Sequence, residues 1–299
     1  MIIFSPTWGQ AAAGAGAVGV VAAALLYRGN VLAGDGGESR AAAARRITAA
    51  GRFAREAALV VALFALWQLA GSFAVMGPGG ALGRARWLWQ AERAMHMPSE
   101  AWLQHLILPH PLIVQAFDIY YDILHFPVLI ACLVWLFVWH RESYGRLRIT
   151  LVAFTGLCLV IQLIPVAPPR MLTGIGMVDT AALYGQSVYS SVGGFNADQL
   201  SAMPSVHVGW AILVAIAVIT RTASRWRWLA LLYPVMTTLA VVVTANHFWL
   251  DGVAAAIVLA VVLCVQAAIT RLRAAAAARA MAAEAVSPPA AVASHTAGH

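Results

Sequence analysis

SAMPSVHVGWAILVAIAVIT, Ser201 to Thr220, sets a histidine at the mouth of an apolar run, and NHFWLDGVAAAIVLAVVLCV, Asn246 to Val265, sets His247 and Asp251 at the mouth of another. Runs of this length and polarity suit helices that cross a bilayer, which takes about 20 apolar residues. An ionisable side chain at such a place is costly unless it has a function. Outward from these two runs the pattern recurs, dividing the chain into seven spans at about 8–28, 56–76, 113–139, 149–165, 205–220, 228–245 and 252–270. The expected fold class is therefore all-α, a polytopic transmembrane helix bundle.

Composition agrees. Hydrophobic residues make up 62% of the chain and charged residues only 10%, with a mean hydropathy of +0.79, which excludes an ordinary soluble domain. Every positive side chain is arginine, and fifteen of the nineteen fall in alternate connections, 28–55, 140–148, 221–227 and the tail after 270. The positive-inside rule then puts the N-terminus outside and the C-terminus in the cytoplasm. A net charge of +7 reflects that topology, so no nucleic-acid partner is expected. The first apolar run has no charged residues ahead of it and Arg28 behind it, the pattern of a retained anchor and not of a cleaved signal. Cys132, Cys158 and Cys264 lie singly within spans and are expected to pack as small apolar residues. The arginine-only, alanine-rich composition points to a GC-rich bacterial genome and a plasma-membrane location.

Three regions follow. Residues 1–55 form an anchor and a cytoplasmic arginine-rich loop carrying a short helix. Residues 56–271 form a six-span core that includes amphipathic helices at 82–111, lying at the outer interface, and a long external loop at 165–204. Residues 272–299 form a cytoplasmic tail, disordered at its end.

On this topology the chemistry-bearing residues meet at the outer face. Arg170 follows the fourth span, His207 opens the fifth, His247 and Asp251 open the seventh, and Asp118, Tyr121, Asp122 and His125 occupy the outer part of the third. His247 and Asp251 are four apart, so on a helix the carboxylate can orient one imidazole nitrogen and leave the other free. That serves a nucleophile or a metal ligand. Ser201 or Ser205 can cap the fifth span, whose first amides would then bind an anion. Asp118, Asp122 and His125, at i, i+4 and i+7, fall on one helical face and suit catalytic support, acceptor binding or a polar network. Together these groups favour phosphoryl transfer: His247 attacks phosphorus, His207 protonates the leaving oxygen, and Arg170 with Ser205 and the nearby amides holds the phosphate. No metal or cofactor is required.

These residues resemble a known family. AMPSVH at Ala202–His207, NHFWLD at Asn246–Asp251 and PVAPPR at Pro165–Arg170 look like the three signature regions of the type 2 phosphatidic acid phosphatase superfamily. The AMPSVH form and the Pro-Pro-Arg order look most like its inositol phosphorylceramide synthase branch, as do Glu92, Glu100 and Gln104 ahead of Tyr121 and His125. The resemblance implies a six-helix core, a phosphohistidine on His247 with Asp251 as its partner, and His207 as general acid. It also implies a lipid phosphate or phospholipid substrate, with water or a polyol or lipid alcohol as acceptor. The chain departs from the superfamily's phosphatases at Leu163, where they carry a lysine, at Met171, where they carry proline, and at Ala240 and Val241, where they carry Ser-Arg. Those losses favour a transferase, unless Arg84, Arg86 or Arg93 folds over the site. The competing classes are a histidine-ligated haem or metal membrane protein and a non-catalytic transporter or binding protein.

Overall fold

A computed structural model describes residues 7–34, 38–72, 80–185 and 200–286. Part of the external loop, the end of the second expected span and the final tail residues lie outside the described residues. The architecture is all-α. Its elements are α1 (Trp8–Gly34), α2 (Glu38–Ser72), α3 (Ala81–Ala94), α4 (Glu100–Ile107), α5 (Pro111–Ile119), α6 (His125–Trp139), α7 (Arg141–Gln162), α8 (Thr180–Leu183), α9 (Val206–Arg221), α10 (Leu232–Val243) and α11 (Trp249–Val286). A π-turn at Tyr120–Leu124 joins α5 to α6, and 3₁₀ turns occupy Pro169–Met171 and Arg225–Leu231.

Among the described residues five stretches are long and apolar enough to cross a membrane: Trp8–Gly34, Pro111–Trp139, Arg141–Gln162, Arg225–Val243 and Trp249–Arg279. The apolar α9 is shorter. The chain is an integral membrane protein.

The arginine-rich loop expected between the first two spans is instead helical. α1 continues to Gly34 and α2 begins at Glu38, because alanine and arginine favour helix and no proline intervenes. Glycine lets the two arms touch. A Cβ on Gly29 would collide with Thr48, and one on Gly51 would meet Leu26 at 2.9 Å.

The main core joins α6, α7, α9 and α11 through Leu129, Leu136, Phe154, Trp210, Leu213 and Leu259. Hydrophobicity does not hold helices together in lipid, so close packing and inter-helix hydrogen bonds must. Trp210 Nε1 donates to Thr155 Oγ1 at 2.9 Å, and Thr150 Oγ1 donates to Gln266 Oε1 at 2.7 Å. At Gly209 the side of α9 is flush against α7, and a Cβ there would collide with the ring of the fully buried Phe154. Cys132 and Cys158 pack in this core as expected, whereas Cys264 is exposed.

A second, smaller core lies under the loops. α3 contributes Ala81, Ala85 and Leu88, the segment after α7 contributes Val166, Ala167, Leu172 and Ile175, and Ala202 and Phe248 close it. α3 and α4 are amphipathic as expected, but with the polar face inward. Glu92, Glu100 and Gln104 are fully buried, while Trp87 and Trp102 are exposed. Apolar surroundings invert the soluble pattern, and the buried polar groups persist because each finds a partner.

Candidate active site

Two loops are stitched together first. Val166 N–H donates to Leu200 O at 2.7 Å, and Ala202 N–H donates to Val166 O at 3.2 Å, an isolated parallel bridge. Gln162 Nε2 donates to Ser201 O and Pro204 O, and Arg84 Nε donates to Pro165 O at 2.6 Å. This strap places Ala202 O 2.7 Å from His247 Nδ1 and leads, four residues beyond Val166, to Arg170.

His247 sits two residues ahead of α11 and not on it, yet it still meets Asp251. Asp251 stands at the third position of α11 and folds back. Its Oδ2 accepts the Phe248 N–H at 2.9 Å and lies 3.3 Å from His247 Nδ1. Half of a capping box thus brings about the pairing that helical spacing alone suggested. Both neighbours of Nδ1, Ala202 O and Asp251 Oδ2, are acceptors, so the proton belongs on Nδ1 and Nε2 keeps its lone pair. Asp251 is fully buried, and Ser205 N–H donates to its backbone carbonyl at 3.0 Å.

Arg170 is tied to the same segment. Its N–H donates to Ala245 O at 3.0 Å, its Nη1 to Asn246 Oδ1, and its Nε lies 3.7 Å from Asp179 Oδ2. Asn246 in turn donates to Thr244 Oγ1 at 2.8 Å. Ala245 holds φ at +55°, the left-handed conformation that turns the chain out of α10 toward His247.

His207, in the first turn of α9, faces His247 edge on, with ring centroids 6.0 Å apart. On its other side it stacks on His125 at 4.5 Å and lies 4.7 Å from the Tyr121 ring. His125 Nδ1 pairs with the Tyr233 hydroxyl at 3.2 Å. Ser205 stands at the helix start but makes no side-chain cap, and its buried Oγ has no partner among the described residues. Ser201 does not cap α9 either.

The single helical face expected for Asp118, Asp122 and His125 is divided. The π-turn between them rotates the chain less per residue, so Asp118 meets α8 while His125 meets α9. Thr180 Oγ1 donates to Asp118 Oδ1 at 2.7 Å, and Asp118 Oδ2 is buried without a partner among the described residues. Asp122 lies within electrostatic range of both Asp118 and Arg170. No group of three or more His, Cys, Asp or Glu among the described residues is arranged to hold a metal ion.

A further layer of support was marked in the sequence only by the family resemblance, without a structural role. Glu92 Oε1 accepts the Leu250 N–H at 2.7 Å, one of the unpaired donors at the start of α11. Glu92 also lies within electrostatic range of Glu100, whose Oε2 pairs with Arg93 Nη2 at 2.9 Å. Burial, reinforced by the Glu100 carboxyl, pushes the Glu92 pKa up to about 9. Gln104 donates to Val178 O and Val243 O and accepts from Val178 N, spanning the external loop and the end of α10. Arg86 donates to Thr173 O. The available signal was the tryptophan face of α3 and α4, which in lipid leaves the charges to face inward.

A family model described as the PAP2 superfamily matches residues 86–265. Neither the curated proteins nor the solved structures contain a match.

Proposed function

The chain belongs to the PAP2 superfamily, whose members are phosphatases and phosphotransferases of phosphoryl groups such as those of lipids, and from that premise we propose that it works through a phosphohistidine on His247. His247 Nε2 attacks phosphorus, the bond from phosphorus to the lipid oxygen breaks, and His207 gives that oxygen its proton. An acceptor hydroxyl then attacks the phosphohistidine, His207 takes the acceptor's proton, and the bond from phosphorus to nitrogen breaks. Arg170 and the first amides of α9 hold the phosphoryl oxygens, with Ser205 Oγ available as a further donor.

The observation that carries this reading is the pair of acceptors on His247 Nδ1, which leaves the opposite nitrogen nucleophilic. Transfer to an alcohol is the finer reading. Asp118 and Asp122 lie beside Tyr121 and His125, and paired carboxylates accept hydrogen bonds from a polyol. A polyol or lipid alcohol acceptor fits that chemistry, and the resemblance to the inositol phosphorylceramide synthase branch supports it. The site is assigned to the outer membrane face, with the N-terminus outside.

The test follows phosphorus-labelled phosphatidate, polyprenyl pyrophosphate and phosphatidylinositol in chelator, with and without inositol and a lipid alcohol, in wild type and His247→Ala. Label entering a new lipid only when alcohol is added establishes the transferase. Free phosphate that depends on His247 establishes a hydrolase instead. Turnover that survives in His247→Ala would falsify the mechanism.

A further inference from the structure

The Glu92 and Glu100 side chains form the most isolated pair of acids in the molecule's loop-side core. They are 0% and 1% exposed. Glu92 Oε1 is taken by the Leu250 N–H and Glu100 Oε2 by Arg93 Nη2. The remaining oxygens, Glu92 Oε2 and Glu100 Oε1, receive no hydrogen bond from any other of the described residues. Two carboxylates cannot share such a space while both are ionised, because each brings a charge out of water and they repel. One proton between them resolves both costs.

We propose that Glu92 and Glu100 hold a single shared proton, and that this acid pair positions the nucleophile by fixing the Leu250 N–H between His247 and Asp251. Neither glutamate touches the reacting atoms. Glu92 grips the first turn of α11, where Asp251 folds back to His247. The Trp249 indole donates to Pro98 O at 2.9 Å, holding the same turn to the linker between α3 and α4. The charged groups facing Glu92 are Glu100 from α4 and Asp251 from α11. Arg93 of its own helix is paired with Glu100.

The shared proton has a consequence that mere packing lacks. Above the pH at which it leaves, a second negative charge appears beside Asp251, the pair repels, and the Leu250 anchor shifts. Glutamine at position 92 reproduces both contacts, donating to Glu100 and accepting from Leu250, but cannot ionise. Leucine fills the space and makes neither contact.

This positioning role rests on the phosphohistidine reading, whereas the shared proton does not, so two measurements separate them. The first is the infrared carboxylic-acid band of purified protein in heavy water. Wild type should show a protonated carboxyl at pH 7 that titrates near pH 9, and Glu92→Gln should lose it. A wild-type spectrum that Glu92→Gln leaves unchanged overturns the proposal, whatever the turnover assays give. The second is kcat and KM against pH for phosphatidate, alongside His247→Ala. Glu92→Gln should keep kcat within about threefold and lose the alkaline decline seen in wild type, while Glu92→Leu loses at least about tenfold in kcat at little change in KM. A Glu92→Gln enzyme as impaired as Glu92→Leu, or one that keeps the alkaline decline unmoved, refutes the positioning role. If no His247-dependent turnover exists, the positioning role falls with the catalytic reading, and the infrared result still decides the proton.

Discussion

Two polar clusters stand at opposite ends of α7, and they are built on different principles. Near its start, Glu56 of α2 is surrounded by donors: Arg55 at 2.9 Å, the Tyr144 hydroxyl at 3.1 Å, and Arg148. Both of its oxygens are occupied. Past the other end, about 20 Å along the helix, the carboxylates of Asp251, Asp118, Glu92 and Glu100 meet histidine, threonine, a backbone amide and each other. Each of these four keeps one buried oxygen without a partner among the described residues, and Ser205 Oγ is likewise unpartnered among them. A satisfied cluster ties helices together. Unsatisfied buried groups cost stability and persist where a proton or a ligand completes them.

The largest expected break in this contrast is His247→Ala, which should lower turnover by more than about 10⁴-fold while leaving the protein folded, because it deletes the nucleophile. Label incorporation and circular dichroism check this together. Asp251→Asn follows with a loss of about 10²-fold to 10⁴-fold, since the amide can present its N–H to Nδ1 and reverse the tautomer. A loss below tenfold would mean that Ala202 O alone orients the ring. Glu56→Ala inverts the pattern, with kcat unchanged and stability reduced by about 1–3 kcal/mol, because Arg148 and Tyr144 lose a charged acceptor. Thermal unfolding in detergent measures it, and a kcat that falls with Tm unchanged would erase the distinction between the two ends.

The last test is linkage, read as a pH dependence and not as a loss of turnover. The Glu92 pKa is raised from 4.5 to about 9, so the folded state binds the proton more tightly than the unfolded one. Its contribution is full below about pH 4.5 and declines as pH rises to about 9. Glu92→Gln has no such proton, so its Tm relative to wild type should climb across that window and level off above it. A difference that stays flat with pH would show that the carboxyl is ionised throughout.

Much of this architecture was legible from residue order. Apolar runs marked the membrane helices, and the positions of His207, His247, Asp251 and Arg170 beside those runs foretold that they would gather. Two things were not legible. The stretch around Arg45 read as a cytoplasmic loop with a short arginine-rich helix because it mixes glycine, alanine and charge, yet helix propensity and two glycine contacts carry α1 to Gly34 and start α2 at Glu38. Glu92, Glu100 and Gln104 read as part of an amphipathic stretch at the outer interface and as residues of the family resemblance, but not as a buried layer. In α3 and α4 the tryptophans take that side, and only tertiary contacts with Leu250, Val178 and Val243 reveal why the acids and the amide turn inward.

The π-turn at Tyr120–Leu124 gives this membrane helix two reading frames. An α-helix advances about 100° per residue, so a single residue accommodated in a wider turn changes the phase of everything after it. α5 is phased to Thr180 and α6 to His207. Removing one residue within 120–124 would leave a continuous, stable-looking helix whose two halves no longer keep their separate appointments. The turn thus lets one membrane helix serve two neighbours, and a single deletion there would force a choice between them.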